Sequence, residues 1–150
     1  MATNKWGPST WKFLHTFVAK IKEDKFEQLF PQIYTLIIRI CMYLPCPDCS
    51  SHAKQYLNRI DSKKIKVKQD LINLFYHMHN TVNSRVGKPS FNHKNMDYYK
   101  TLNLIQVYND FSRNFNTHGN MNLIADSMHR KMIQKDLRQW LMLHYQFFEH

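Results

Sequence analysis

The segment YLPCPDCSSH, from Tyr43 to His52, contains two of the chain's three cysteines and two of its five prolines. A helix cannot continue through Pro45, so the apolar helical pattern that precedes it ends here. Pro47 suits the first turn of a helix, which predicts a new helix from Cys46 or Pro47 to about Ile60. The segment therefore separates two helices and places a Cys-x-x-Cys pair at the start of the second one.

The composition favours long helices in a single domain. A chain of 150 residues is about the size of one domain, and 43% apolar residues are enough for a packed core. Only three glycines are present, which argues against an all-β protein with many turns.

Apolar residues recur at helical spacing along most of the chain. Gly87, followed two residues later by a proline, marks one helix end. A helix after residue 95 is predicted from Tyr98, Leu102, Ile105 and Tyr108, which would share one face, and the sequence NTHGN ends it. The helices predicted in addition to the one at Cys46 are Pro8–Lys22, Lys25–Tyr43, Asp70–Val86, 95–117 and 121–148. The predicted fold is all-α, a helical bundle with a helical C-terminal extension.

The charge of the chain points to an anionic partner or to solubility alone. Lysine and arginine outnumber the acids 21 to 11, which gives a formal net charge of +10. Such a charge suits nucleic acid, an acidic protein or a membrane surface. No signal peptide is visible at the N-terminus, no apolar run approaches a membrane span, and three cysteines are too few for a secreted disulfide framework. We expect a soluble intracellular protein without a membrane span.

The Cys-x-x-Cys pair allows three kinds of chemistry. The N-terminus of a helix lowers the pKa of a thiol, which favours dithiol–disulfide exchange. The pair could instead supply half of a zinc site with His52, although His77 and His79, two residues apart on a helix, would be a poor second pair. The thiols could also be inert. An oxidase would need an electron acceptor such as a flavin, because no side chain stores two electrons.

Three segments resemble the signature blocks of the Erv/ALR family of FAD-linked sulfhydryl oxidases. They are WGPSTWKFLHT (Trp6–Thr16), LPCPDC (Leu44–Cys49) and HNTVNSRVGKPSF (His79–Phe91). The resemblance runs from about Trp6 to Phe91. It implies a four-helix bundle with a short fifth helix, which holds FAD at its mouth. We expect residues 1–94 to form this FAD-binding core and residues 95–150 to form a helical extension packed on the same domain.

The resemblance also implies roles for individual residues. Cys49 matches the cysteine next to the flavin, and Cys46 matches the cysteine that exchanges with substrate. The positions that match FAD contacts are Gly7, Trp11, His15, Tyr43, His79, Asn80, Asn83 and Lys88. Spacing supports the third block, because three of its polar residues share one helical face and Lys88 follows the helix end, where it could meet a phosphate. This reading includes no metal.

The sequence departs from the family pattern at three positions. Leu44 stands where the family usually has tyrosine, and Leu74 where it often has tryptophan. His93 occupies the place of the first cysteine of a structural disulfide found in many members. We therefore expect residues 95–150 to hold down the segment after GKPSF.

Two groups of residues lie outside the family pattern. The aromatic rings of Tyr98, Tyr99 and Tyr108 could close over the adenine or pack a dimer interface, but core packing is their simplest role. Cys41 shares an apolar helix face with Ile37 and Ile40, so we expect a buried, inert thiol.

The function implied is oxidation of protein dithiols to disulfides, with electrons passing from Cys46–Cys49 to FAD and then to dioxygen to give hydrogen peroxide. Substrate thiols would reach Cys46 directly or through a separate thiol–disulfide carrier protein. The resemblance further implies a homodimer. The small size suggests a compact version from a large DNA virus, acting in the host cytoplasm or virion rather than in the mitochondrial intermembrane space.

The alternative function is a zinc-stabilised basic helical module that binds nucleic acid. Its metal would be held by Cys46, Cys49 and His52, and its basic surface would include Lys63, Lys64, Lys66 and Lys68. The sequence offers no clear fourth ligand and this reading leaves the first block unexplained, so nucleic acid is the less favoured partner.

Overall fold

The computed structural model describes residues 5–115 and 124–150, and regular structure in these ranges is helical. Its α-helices are α1 (Trp6–Ala19), α2 (Phe26–Met42), α3 (Pro47–Asn58), α4 (Lys68–Val86), α5 (Leu104–Phe115) and α6 (Ile124–His144). Short 3-10 helices cover Glu23–Lys25, Ser62–Lys64, His93–Thr101 and Tyr145–Phe147. An isolated antiparallel bridge between Ile21 and Phe148 is the β-type pairing in the described ranges. The all-α prediction is confirmed.

Local signals set several helix ends at or within two residues of the predicted positions. Pro47 is the first residue of α3. The Asp70 carboxylate accepts the N–H groups of Lys66 and Val67 at 2.9 and 3.1 Å, which caps the start of α4 two residues before the predicted position. Gly87 ends α4 with φ of 77°, a left-handed conformation that glycine adopts without steric cost.

The predicted single helix over 95–117 is wrong. The chain instead forms the 3-10 helix His93–Thr101, passes through an extended residue at Leu102, and begins α5 at Leu104. The Asn103 side chain accepts the Gln106 N–H at 3.0 Å, so it caps a new helix instead of continuing an old one. The predicted face is also wrong, because α5 buries Leu104, Val107, Tyr108, Phe111 and Phe115 while Ile105 is exposed. The NTHGN break and the predicted helix start at 121 lie outside the described residues.

Helix α1 lies at the centre of the molecule. It packs against α4, α5 and the 3-10 helix that precedes α5, while α2 packs against α3 and α6. The Phe13 ring stacks on Phe111 of α5 at 4.8 Å, and the Phe17 ring stacks on Phe148 at 5.6 Å. The C-terminal residues thus share one apolar core with the first helix.

Helix α1 ends at Ala19, three residues before the predicted end. The buried Lys68 ammonium donates hydrogen bonds to the carbonyls of Ala19 and Ile21 at 3.0 and 2.8 Å, and thereby satisfies acceptors that the helix leaves free. Ile21, two residues after the helix end, pairs with Phe148 in the isolated antiparallel bridge. None of the helices in the described ranges combines the length and apolar character that a membrane crossing requires.

Candidate active site

The two cysteines of the opening segment form a disulfide in the first turn of α3. Cys46 is the N-cap residue, and its sulfur accepts the Cys49 N–H at 3.2 Å, in the place where a cap usually offers an oxygen. The two Cα atoms lie 5.2 Å apart. Because the N-terminus of a helix stabilises negative charge, reduction of this pair would leave a thiolate in a favourable position.

Cys49 also lines a cavity of about 710 Å³ between α1, α3 and α4. Leu44 and Ala53 stand beside it in the wall, and Tyr98 and Tyr99 contribute from the 3-10 helix. Cys46 is not among the lining residues, so the two sulfurs differ in their access to this space. The volume lies within the range of about 300–1,000 Å³ that is typical of ligand pockets.

The cavity has a one-sided charge. Lys12, Arg59, Arg85 and Lys88 line it, and the described lining residues include no Asp or Glu. The ion pairs within the described ranges involve none of these four cations. Such a wall is suited to a ligand that carries phosphate groups.

A stack of aromatic rings forms one side of the cavity. The Trp11 indole lies parallel to the His79 imidazole, with centroids 4.1 Å apart and planes at 4°. Behind it, His15 stacks on Tyr99 at 4.6 Å. A His15 nitrogen, Nε2, lies 2.9 Å from Nδ1 of His79, so one imidazole donates a proton that the other accepts.

Burial keeps both imidazoles neutral. It lowers the pKa of His15 to about 3, with a further contribution from the nearby His79. Burial also lowers the pKa of His79 to about 4, and the positive charge of Lys88 acts in the same direction. The Nδ1 atom of His15 is buried and has no hydrogen-bond partner in the part of the chain that the structure describes.

Six of the ten predicted site residues line the cavity, namely Gly7, Trp11, Cys49, His79, Asn83 and Lys88. His15 lies behind the wall and reaches the cavity only through its contacts with Trp11 and His79. The Tyr43 ring does not line the cavity but stacks on His129 of α6 at 4.5 Å.

The side-chain amide of Asn80 forms hydrogen bonds with the main chain of the protein itself. Its amide donates to the Phe91 carbonyl at 3.3 Å and accepts the Phe91 N–H at 3.0 Å. Tyr76 also packs edge-on against Phe91 and His93. These contacts hold the segment after GKPSF together with Met96, which is buried, and Tyr99. The extension contributes to this anchoring, but α4 provides much of it.

Sequence reasoning missed three of the four cations in the wall, since only Lys88 was predicted as a site residue. Lys12 lies on α1 within the first family block, but the resemblance gave it no role. Arg59 follows the last residue of α3, and Arg85 lies in the last turn of α4, where a basic residue has an ordinary helix-capping explanation. Tyr99 contacts the site, as one of the sequence alternatives allowed, whereas Tyr108 is a core residue whose hydroxyl donates to the Gln134 carbonyl at 3.0 Å.

The zinc alternative finds no ligand cluster in the described ranges. No group of three or more His, Cys, Asp or Glu residues within 5–115 and 124–150 is arranged to hold a metal ion. The proposed ligands Cys46 and Cys49 are joined to each other. Cys41 is a buried free thiol, and burial raises its pKa to about 12, so it is protonated at neutral pH.

Known proteins resemble this chain over more than half of its length. A protein of Arabidopsis thaliana named FAD-linked sulfhydryl oxidase is 32% identical over 85 residues, which are 57% of this chain and 44% of that protein. Invertebrate iridescent virus 3 has a protein assigned the same activity by name, 31% identical over 85 residues, 56% of this chain and 57% of its own. A similarly named protein of Invertebrate iridescent virus 6 is 30% identical over 94 residues, 56% of this chain and 81% of its own.

The chain thus spans about half the length of two of these three relatives. No solved structure matches it. A model of the Erv1 / Alr family matches residues 8–101, which include the redox pair, the ring stack and the four cations of the cavity. Because this match covers more than half of the sequence, the chain belongs to the Erv1 / Alr family.

Proposed function

We propose that this protein is an FAD-linked sulfhydryl oxidase that makes disulfide bonds in protein substrates. One observation carries the proposal: Cys49, half of a disulfide at a helix start, lies in the wall of a cavity lined by aromatic rings and by four cations that form no ion pair within the described ranges. The names of the relatives from a plant and two viruses support the same activity.

The residues present fit FAD. The cavity is large enough for a sizeable ligand, and its lining residues include the buried Thr10, whose hydroxyl has no partner in the described ranges. A buried polar group without a partner is uncommon, which indicates a ligand atom beside it. Gly7 leaves its part of the wall open, since a Cβ there would meet no protein atom within 4 Å.

Different parts of the cavity suit different parts of the cofactor. Trp11 and Tyr99 offer flat surfaces for stacking against a planar ring. The four cations would hold the two phosphates. When bound, FAD supplies the two-electron acceptor that side chains lack, with dioxygen as the final acceptor and hydrogen peroxide as the product.

We propose different tasks for the two cysteines, because Cys49 lines the cavity and Cys46 does not. A substrate thiolate attacks the sulfur of Cys46, the Cys46–Cys49 bond breaks, and Cys49 leaves as a thiolate in the first turn of α3. A second substrate thiol loses its proton and attacks the mixed disulfide at the substrate sulfur. The substrate loses two electrons and becomes a disulfide, and the Cys46–Cys49 pair is reduced beside the cavity.

The substrates we propose are protein dithiols that reach Cys46 directly or through a separate carrier protein. Beyond this pair the chain has only Cys41, which is buried, so it contains no second pair that could relay electrons. We therefore propose that the exchange partner is a separate molecule that approaches α3.

We also propose a homodimer and a viral setting in the host cytoplasm or virion. Exposed apolar side chains at the end of α6, Met142 and Leu143, support a second contact surface. Two of the relatives described above are proteins of iridescent viruses. Sedimentation of the purified chain at micromolar concentration would show two subunits, and a single subunit there would contradict the dimer.

The test of the oxidase function is the visible spectrum of the purified full chain. We expect flavin bands that dithiothreitol bleaches without oxygen, and that air restores with release of one hydrogen peroxide per dithiol. The variant Cys49→Ser should keep the bands and resist bleaching, while the matched variant Ser51→Ala, changed at an exposed position two residues on, should behave as the wild type. A colourless chain that takes up no FAD, or releases zinc on thiol modification, would overturn the proposal.

A further inference from the structure

A buried arginine of α6 reaches the main chain that leads into the disulfide. The Arg130 side chain is 0% exposed, and its Nη1 donates to the Tyr43 carbonyl at 3.2 Å. Tyr43 follows the last residue of α2 and precedes Cys46 by three residues. Three peptide units limit the separation of their Cα atoms to about 11 Å.

Among the residues that the structure describes, no acid contacts the Arg130 guanidinium directly. Its Nε and Nη2 atoms are buried without hydrogen-bond partners in the described ranges, where it forms no ion pair. The guanidinium lies 6.0 Å from the centre of the Phe115 ring. The acid that acts on it is Asp126, one turn earlier on α6. An arginine remains charged even when burial lowers its pKa, so Arg130 carries a positive charge at this buried position.

The loop between α2 and α3 is held from two sides. On one side, His129 of α6 stacks on the Tyr43 ring at 4.5 Å, next to the Arg130 bond to the carbonyl. On the other side, the Leu44 N–H donates to the buried Ser50 hydroxyl of α3 at 2.8 Å. Both α6 residues lie beyond the part of the chain that matches the family model, residues 8–101.

We propose that Arg130 is a positioning residue for the redox pair: it fixes the main chain entering Cys46, and its charge favours the reduced, thiolate-bearing state of Cys46–Cys49. This inference rests on the proposed function, in which that pair is the one that exchanges with substrate. A stabilised reduced state makes a disulfide a stronger oxidant. The C-terminal extension thereby raises the oxidising strength of the Cys46–Cys49 disulfide.

The size of the effect follows from Coulomb's law. If the separation between the guanidinium and a thiolate is taken as the Cα limit of roughly 11 Å, an effective dielectric constant of about 20 gives about a tenfold change in thiolate stability. For a two-electron couple, a tenfold change in the exchange constant corresponds to about 30 mV. The effect is therefore large enough to measure by equilibration with a small dithiol.

The experiment is equilibration of the purified, FAD-containing chain with reduced and oxidised dithiothreitol, without oxygen, followed by alkylation and mass spectrometry. Each exchange oxidises one dithiothreitol to its cyclic disulfide and reduces one Cys46–Cys49 disulfide. Because the first electron pair passes on to FAD, the exchange constant is measured after the flavin bands are bleached, when further reduction stays on the cysteine pair. We expect Arg130→Met to shift the exchange constant about tenfold towards the protein disulfide. Arg130→Lys should retain most of the wild-type value, and Arg138→Met, at an exposed position of the same helix, should leave it unchanged.

A second variant covers the case in which Arg130→Met does not fold. Asp126→Asn removes the acid that opposes the charge of Arg130, so it should shift the constant in the opposite direction, towards the dithiol, about twofold to fivefold. Unchanged constants in Asp126→Asn and in any folded Arg130→Met would overturn this inference alone. A wild-type pair that dithiothreitol cannot reduce, or whose reduction leaves the flavin bands intact, would instead overturn the proposed function.

Discussion

His15 and His79 show how a single pair of residues can make folding depend on pH. Both imidazoles are neutral in the folded chain, with pKa values lowered to about 3 and about 4 by burial. In the unfolded chain they return to about 6.5, so the unfolded state binds more protons between these values. Stability is then complete above about pH 6.5 and decreases as the pH falls towards 3.

The variant His15→Phe tests this dependence of stability on pH. We expect the free energy of unfolding of the wild type to fall between pH 6 and 4, with a slope from His15 that approaches about 1.4 kcal/mol per pH unit. The phenylalanine keeps a ring against Tyr99 but has no proton to bind, so its slope should be smaller. Urea unfolding across this pH range would measure both slopes, and parallel curves would contradict the buried neutral pair.

Asn80 joins helix α4 to the segment that follows this helix. Its two hydrogen bonds to the main chain of Phe91 close a loop of eleven residues in the region where many family members use a disulfide. The sequence predicts an FAD contact for Asn80, and that role stays a prediction. The structure adds an anchoring role that involves the same amide group.

Replacement of this amide should loosen the segment. Asn80→Ala leaves the N–H and carbonyl of Phe91 without these partners, so we expect a loss of about 1–3 kcal/mol in the free energy of unfolding. The control is Ser84→Ala, an exposed position on the same helix, which should change stability by less than about 0.5 kcal/mol. Chemical denaturation gives both values, and faster hydrogen exchange at the Phe91 amide would locate the loss. An unchanged exchange rate there would show that other contacts suffice.

In the molecule as a whole, the residues that follow α1 and the C-terminal residues stabilise each other. The Lys22 N–H donates to the Phe147 carbonyl at 2.9 Å, and the Glu149 N–H donates to the Lys20 carbonyl at 2.6 Å. Phe148, 0% exposed, packs between Phe17 and Trp140. The part of the chain that resembles the family therefore depends on residues near position 148 for its core.

Phe148→Ala should consequently destabilise the entire molecule. We expect a loss of about 3–5 kcal/mol in the free energy of unfolding, as for other buried phenylalanines. Gln146→Ala, exposed and two residues earlier, is the matched control. Unfolding followed separately by tryptophan fluorescence and by flavin release should give one coincident transition. Two separate transitions would contradict the prediction that residues 95–150 pack on the same domain as residues 1–94.

The sequence was sufficient to predict helix ends, because these depend on residues that are neighbours in the chain. Proline and glycine fix backbone angles locally, so the start of α3 at Pro47 and the end of α4 at Gly87 could be predicted, and with them the position of the redox pair in a first turn. The family blocks added the residues that surround the cavity. The prediction of one helix over 95–117 was wrong because asparagine can either continue a helix or cap a new one. Packing selected the capping role for Asn103.

Only the tertiary structure decided which distant groups meet. His15 and His79 are 64 residues apart in sequence, and Arg130 and Tyr43 are 87 apart. Such contacts depend on how whole helices pack, and the residue types alone allow each side chain many partners. Tyr43 therefore stacks on His129 instead of lining the cavity, and Arg59 and Arg85 join the cavity wall from two helix ends. Local chemistry sets where the helices begin and end, and burial of their apolar faces sets what their polar residues touch.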